Sequence, residues 1–181
     1  MIDESRIRVM IDRITLEERI DAVGRQISSD YKGKELVMVC VLKGGAMFMT
    51  QLCKSIDVRM TQEFMVVSSY GNARISSGEV RVKKDLDDDI TGRDVLIVED
   101  IVDTGRTLLF LTDYLLQKGA ASVRVCTMLD KPARRVVPMK ADYSCFEIED
   151  EFVLGYGLDY DQYYRNLPYI AYYEGESEDK N

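Results

Sequence analysis

Apolar positions recur with two different periods along this chain, and the alternation between them sets out most of its architecture. Leu16, Ile20, Val23 and Ile27 fall on one helical face, after Thr15-Leu16-Glu17-Glu18, which has the spacing of a capping box. From Leu36 to Leu42 every residue is apolar, and the run stops at Lys43-Gly44-Gly45. That is the profile of a strand covered on both faces and ending in a sharp turn. Residues 46–56 follow with Met49, Leu52, Cys53 and Ile56 in helical register, which completes a strand–turn–helix unit. Residues 62–68 read as another strand, and 70–78, with Gly, Ser and little apolar content, as a mobile loop. Val80 and Val82 alternate with Glu79, Arg81 and Lys83, as on a half-exposed strand pairing back across that loop. A buried strand over 94–98, a helix over 107–118 closed by Gly119 and a strand over 122–129 continue the series.

Strands alternating with helices predict an α/β fold, a parallel sheet flanked by helices and wound with right-handed crossovers. The 181 residues suit one domain, 1–181, with no internal repeat. Seven tyrosines lie between Tyr156 and Tyr173. Acidic residues accompany them, so they read as packing and subunit contact rather than a base-stacking surface. The acidic tail, 174–181, is expected to fray.

Charge narrows the partners. A net charge of −8 argues against a general nucleic-acid or anionic-membrane surface. A phosphate ligand must then be met locally, by a basic cluster, by backbone N–H groups or by a metal ion. The N-terminus lacks the apolar core of a signal peptide, and no apolar run is long enough to span a bilayer. Cys40, Cys53, Cys126 and Cys145 are far apart and inside apolar stretches, as expected for reduced core residues of a cytoplasmic protein. The chain has no histidine, which removes Ser-His, Cys-His and zinc-histidine chemistry. Proton transfer falls to carboxylates, lysine, tyrosine or cysteine.

One segment concentrates the chemistry: Val95-Leu96-Ile97-Val98-Glu99-Asp100-Ile101-Val102-Asp103-Thr104-Gly105-Arg106-Thr107-Leu108. In an open parallel sheet, ligands sit beyond the carboxyl ends of the strands. Glu99 and Asp100 are expected there, immediately after the strand. Adjacent carboxylates repel unless something cationic or hydroxylic meets them, and a ribose diol with Mg²⁺ would do both. Gly105 permits close backbone approach, the helix start offers free N–H groups to a phosphate, and Thr104 and Thr107 add hydroxyls. Asp103 would be repelled by that phosphate, so it is assigned to the other end of the substrate. Each carboxylate alone would read as a solvated acidic turn; the whole string does not.

This string resembles the PRPP (5-phosphoribosyl 1-pyrophosphate) signature of type I phosphoribosyltransferases, in the form typical of the hypoxanthine-guanine branch. Val41-Leu42-Lys43-Gly44-Gly45, Ser69-Tyr70-Gly71, and Phe152-Val153-Leu154-Gly155-Tyr156-Gly157-Leu158-Asp159-Tyr160 with Arg165 match in the same chain order, so the resemblance covers about residues 10–173. It implies the type I phosphoribosyltransferase fold, a parallel sheet with a small hood and a mobile loop, in a homodimer or homotetramer. It implies a Mg²⁺-dependent transfer of 5-phosphoribosyl from PRPP to N9 of hypoxanthine and guanine, giving IMP and GMP plus pyrophosphate.

By this resemblance Glu99 and Asp100 hold the ribose hydroxyls, directly or through Mg²⁺. Asp103 handles the proton at purine N7, and residues 103–107 cradle the 5-phosphate, with the side-chain role of Arg106 open. Lys43, Gly44 and Arg165 hold pyrophosphate; in that family the peptide before this lysine is often cis. Asp159, beside the base, resembles the ligand of a second Mg²⁺. Lys131 donates to O6, Phe152 stacks on the purine, the Val153 backbone reads the ring edge, and Ser69 and Tyr70 belong to the loop that closes over the reaction. Taken singly, Lys43 would be a snorkelling lysine, Arg165 a surface charge, Lys131 a turn lysine and Phe152 a core aromatic. A lysine donor at position 6 suits a carbonyl and opposes the amino group of adenine, while preference among hypoxanthine, guanine and xanthine stays open. Two other readings are a xanthine-preferring or other type I phosphoribosyltransferase, and a regulator with this fold that binds RNA or DNA without catalysis; the acidic balance counts against the second.

Overall fold

The computed structural model describes residues 3–69 and 80–174, the side chain of Ser69 excepted. Its main sheet has six strands in the order β4-β3-β2-β5-β6-β7. These are β2 (Leu36–Leu42), β3 (Met60–Ser69), β4 (Val80–Lys84), β5 (Asp94–Val102), β6 (Ser122–Asp130) and β7 (Tyr143–Glu147). All neighbours run parallel except β4, which pairs antiparallel with β3. Three helices, α1 (Arg13–Asp30), α2 (Gly45–Lys54) and α3 (Arg106–Gln117), complete the layers.

The unbroken apolar run of β2 follows from its position. Leu36, Met38 and Cys40 join the core beneath α1 and α2, whereas Val37, Val39 and Val41 join the core beneath α3. Successive side chains of a strand point to opposite faces, so a central strand needs apolar residues at every position. On α1 the expected stripe, Leu16, Ile20, Val23 and Ile27, is fully buried. Its start differs from expectation. The cap is Asp12, whose Oδ1 accepts from the amides of Ile14 and Thr15 at 2.9 and 3.0 Å. Thr15 lies inside the first turn, its hydroxyl donating to Asp12 Oδ2 at 2.7 Å. An aspartate satisfies two orphan amides at once, so the helix begins there.

A second correction concerns β5, which runs to Val102 rather than stopping at Val98. Pairing with β2 ends at Cys40–Val98, but pairing with β6 continues through Glu99–Thr127 and Ile101–Leu129 to Val102–Asp130. Glu99 and Asp100 therefore sit on a strand supported from one side, not on the loop beyond it. Two further features go beyond the residue pattern, the second of them implied by the family resemblance alone and without its strands. One is β7. The other is a separate antiparallel sheet, β1 (Ile7–Ile11), β9 (Ile170–Tyr173) and β8 (Val153–Leu154), in the order β1-β9-β8, which forms the hood.

The tail is not frayed at its first residue: Glu174 donates its amide to the Arg6 carbonyl at 2.9 Å and ion-pairs with Arg8 at 3.0 Å. Residues 175–181 and the loop expected over 70–78, Tyr70 included, lie outside the described residues. All four cysteines are free thiols, and burial pushes that of Cys40 up to about 12. Among the described residues no helix is long and apolar enough to cross a membrane.

Candidate active site

The carboxyl ends of β2, β5 and β6 converge, and glycines let them touch. Behind β2 the Leu42–Lys43 peptide is cis, and Gly44 and Gly45 turn directly into α2. A β-carbon on Gly44 would lie 1.6 Å from Asp100 Oδ2, and one on Gly45 would lie 3.0 Å from the Val98 carbonyl. The turn therefore rests on the carboxylate end of β5, where no side chain fits.

Glu99 and Asp100 form a buried acidic pair. Asp100 is 8% exposed, and its Oδ1 accepts from the amide of Ile101 at 2.9 Å. Glu99 is half-buried as a residue, yet its Oε2 is shut off from water and lacks a hydrogen-bond partner among the described groups. Burial, reinforced by the neighbouring Asp100, holds the Glu99 carboxyl well above the usual carboxylate range, and burial raises Asp100 as well. An orphaned oxygen beside a second carboxylate is a donor set for a hard cation such as Mg²⁺. Among the described residues no three acidic, cysteine or histidine side chains cluster, so substrate or water oxygens would have to complete such an ion's shell.

Beyond the pair, a pocket of about 140 Å³ is lined by residues 99–105 together with Thr107 and Leu108. Arg106 is not part of that lining. Gly105, at φ +83°, caps α3 without a side chain. The first amides of that helix carry the positive end of its dipole, the ordinary seat of a phosphate. A strap from the chain after β6 holds the cradle from behind. The Arg135 guanidinium donates to the Asp103 carbonyl and to the Asp130 carboxylate, and the Val136 amide donates to the Thr104 carbonyl at 3.1 Å. A β-carbon on Gly105 would press within 2.9 Å of Arg135 Cδ.

On the far side, Asp103 Oδ1 accepts from Arg134 Nε at 2.9 Å, and Arg134 Nη1 donates to Asp150 Oδ2 at 3.3 Å. Lys131 is buried at 8% exposure, with its backbone N–H on the Val102 carbonyl at 2.9 Å. Its Nζ donates to the Glu151 carbonyl at 2.5 Å and lies 3.8 Å from Asp150 Oδ1. A turn lysine would be exposed; this one is held inside. Phe152 is 52% exposed and meets Tyr160 edge-on, with ring centroids 5.7 Å apart, so it is not a core aromatic. Val153 follows it, buried in β8.

Around Lys43, the Nζ donates to Gln162 Oε1 at 3.1 Å. Arg165 donates to the Gly157 carbonyl at 2.6 Å and pairs with Asp159 Oδ1 at 2.6 Å, while the Gln162 amide donates to Asp159 Oδ2 at 2.8 Å. Asp161, Gln162 and Tyr164 all have positive φ, at 50°, 73° and 71°, a concentration of unfavourable backbone typical of functional loops. Asp159 does not join Glu99 and Asp100 in a three-ligand cluster. Ser69 ends β3, and Tyr70 is outside the described residues.

Sequence reasoning missed Arg134, Arg135, Asp150 and Gln162. The one signal available was the Arg134-Arg135 pair just after a strand whose end faces the site, in a chain otherwise rich in acid.

A family model described as a phosphoribosyl transferase domain matches residues 12–161. The hypoxanthine-guanine phosphoribosyltransferase of Streptococcus thermophilus is 47% identical over 171 residues, 94% of this chain and 95% of that one. A solved hypoxanthine phosphoribosyltransferase from Staphylococcus aureus is similar at TM-score 0.89 and 46% identity, covering 92% of this chain and 90% of that one. A hypoxanthine-guanine phosphoribosyltransferase structure from Bacillus anthracis is similar at TM-score 0.88 and 42% identity, with 91% and 97% covered.

Proposed function

The chain belongs to the phosphoribosyl transferase family as an enzyme of purine salvage, and we propose that it moves 5-phosphoribosyl from PRPP to N9 of hypoxanthine and guanine with Mg²⁺. The products are IMP or GMP and pyrophosphate. The observation that carries this reading is the sequence of groups along one strand end: the Glu99–Asp100 pair, then Asp103, then the glycine-capped start of α3, with Lys131 anchored beside them on the Val102 carbonyl.

Each group matches one part of the substrates. The 5-phosphate fits the amides and hydroxyls of residues 104–107, and the ribose diol fits Glu99 and Asp100. Mg²⁺ held by Glu99 and Asp100, with Asp159 toward the leaving group, would neutralise pyrophosphate charge when bound. Lys43 and Arg165 supply the protein's own cations there. As N9 attacks ribose C1, the C1–O bond to pyrophosphate breaks and positive charge develops on the sugar, so the chain's task is positioning and charge stabilisation. Asp103 accepts the N7 proton as a general base. Lys131 donates to O6, turning from the Glu151 carbonyl to the equivalent oxygen on the base.

The test is product analysis after incubation with PRPP, Mg²⁺ and hypoxanthine, guanine, xanthine or adenine in turn. The expected result is a 9-linked nucleotide and pyrophosphate in equal amounts from the 6-oxopurines. Conversion of adenine with none of hypoxanthine or guanine would overturn the assignment.

A further inference from the structure

A 6-oxopurine carries O6 and the N7 proton side by side on one edge, so its site needs a donor and an acceptor side by side. Resting on the function proposed above, Lys131 and Asp103 fill those places. They start from adjacent strand ends, with the Lys131 amide on the Val102 carbonyl at 2.9 Å. A free ammonium and a free carboxylate so placed attract each other, and a direct pair between them would occupy the base site with its own recognition groups. The structure has a different order. Asp103 is paired with Arg134 at 2.9 Å, Arg134 with Asp150 at 3.3 Å, and Asp150 Oδ1 lies 3.8 Å from Lys131 Nζ. The charges alternate along this chain: negative, positive, negative, positive.

We propose that Arg134 is a positioning residue that keeps Asp103 and Lys131 apart and aimed at the purine. Its Nε holds Asp103 through Oδ1, which leaves Oδ2 to take a proton. Its Nη1 holds Asp150 Oδ2, which leaves Oδ1 turned to Lys131. The planar guanidinium makes both bonds from fixed directions, which an ammonium cannot do. Arg134 and Asp150 are about half-exposed, at 47% and 42% of their side chains, so the fold does not depend on them.

The test compares Arg134→Ala, Arg134→Lys, Asp103→Asn and the double variant Arg134→Ala/Asp103→Asn, by kcat and by KM for PRPP and for hypoxanthine. Arg134→Ala should lower kcat/KM for hypoxanthine by roughly 10- to 100-fold, the scale of a misplaced reacting group, with KM for PRPP and the melting temperature kept. Arg134→Lys should recover part of the loss. In the Asp103→Asn background the same alanine substitution should cost clearly less, because the part of the loss that runs through the Asp103 carboxylate is already gone and only the part through Asp150 and Lys131 remains. Equal losses in both backgrounds, a KM for PRPP that rises as far as kcat/KM falls, or undiminished turnover would overturn the proposal. Wild-type turnover of hypoxanthine separates the two readings. A wild type inert to hypoxanthine overturns the proposed function and this inference with it, whereas an active wild type with an indifferent Arg134 overturns this inference alone.

Discussion

The carbonyl oxygen of Gly44 lies against the α-carbon of Gly157, so closely that a β-carbon there would come within 2.0 Å of it. This contact docks the hood on the turn after β2. It also connects the two side chains assigned to pyrophosphate, because the Gly157 carbonyl accepts from Arg165 at 2.6 Å and Lys43 immediately precedes Gly44. Gly157 has φ +105°, which a side chain rarely adopts. Gly157→Ala should therefore destabilise the protein by about 1–3 kcal/mol from backbone strain alone. For a chain of this size each kcal/mol lowers the melting temperature by about 2–4 °C. KM for PRPP should rise while the ratio of hypoxanthine to guanine turnover stays the same. A normal melting curve with an unchanged KM for PRPP would contradict the docking role.

Stability should depend on pH through the Glu99–Asp100 pair. Burial raises both carboxyls above their ordinary values. At acid pH, below the carboxylate range, folded and unfolded chains both hold these protons and the pair costs nothing. As pH rises, the unfolded carboxyls ionise first, so stability falls until the raised folded value is passed and then levels off. Glu99→Gln should raise the melting temperature at neutral pH, and the gain should shrink to nothing on acidification. Mg²⁺ should stabilise the wild type more than the variant. Thermal melts across pH, with and without Mg²⁺, check both; a variant that melts lower at neutral pH would contradict the buried-charge argument.

How much of this was legible in the sequence depends on where each element lies. β2 was readable to both boundaries, because a strand covered on two faces must be apolar throughout and its end coincides with Lys43-Gly44-Gly45. The end of β5 was misplaced because the apolar run breaks at Glu99, although pairing with β6 continues past it. The hood follows from the resemblance, but its strands leave no mark in the residue pattern: β8 has only two residues, and Val9 of β1 is 56% exposed, so neither shows a period. Site residues on one short string, Glu99 to Thr107, could be assembled from their neighbours. Arg134 and Asp150 could not, since what joins them is a contact between the 3-10 turn Pro132–Arg134 after β6 and the loop before β8, and local pattern carries no record of that.

Base choice should rest on Lys131. Its Nζ offers only N–H groups and already holds a carbonyl, that of Glu151, at 2.5 Å. Replacing it by Gln gives a side chain that presents either a carbonyl or an amide. Lys131→Gln should lower kcat/KM for hypoxanthine and guanine by about 1.5–3 kcal/mol, the worth of a hydrogen bond with one charged partner. The ratio of either to adenine should narrow, with PRPP binding kept. An unchanged ratio in a three-base assay would mean that the backbone near Val153 does the choosing.

Asp103→Asn is the most direct measurement of all. The amide keeps the size of the carboxylate and its hydrogen bond from Arg134, but it does not accept the purine proton. With PRPP, Mg²⁺ and hypoxanthine, kcat should fall by roughly 10²-fold or more, the usual worth of general-base help, while KM for PRPP changes little. Near-normal kcat with a collapsed affinity for PRPP would contradict this, and would make Asp103 part of the phosphate cradle instead of the base that takes the N7 proton.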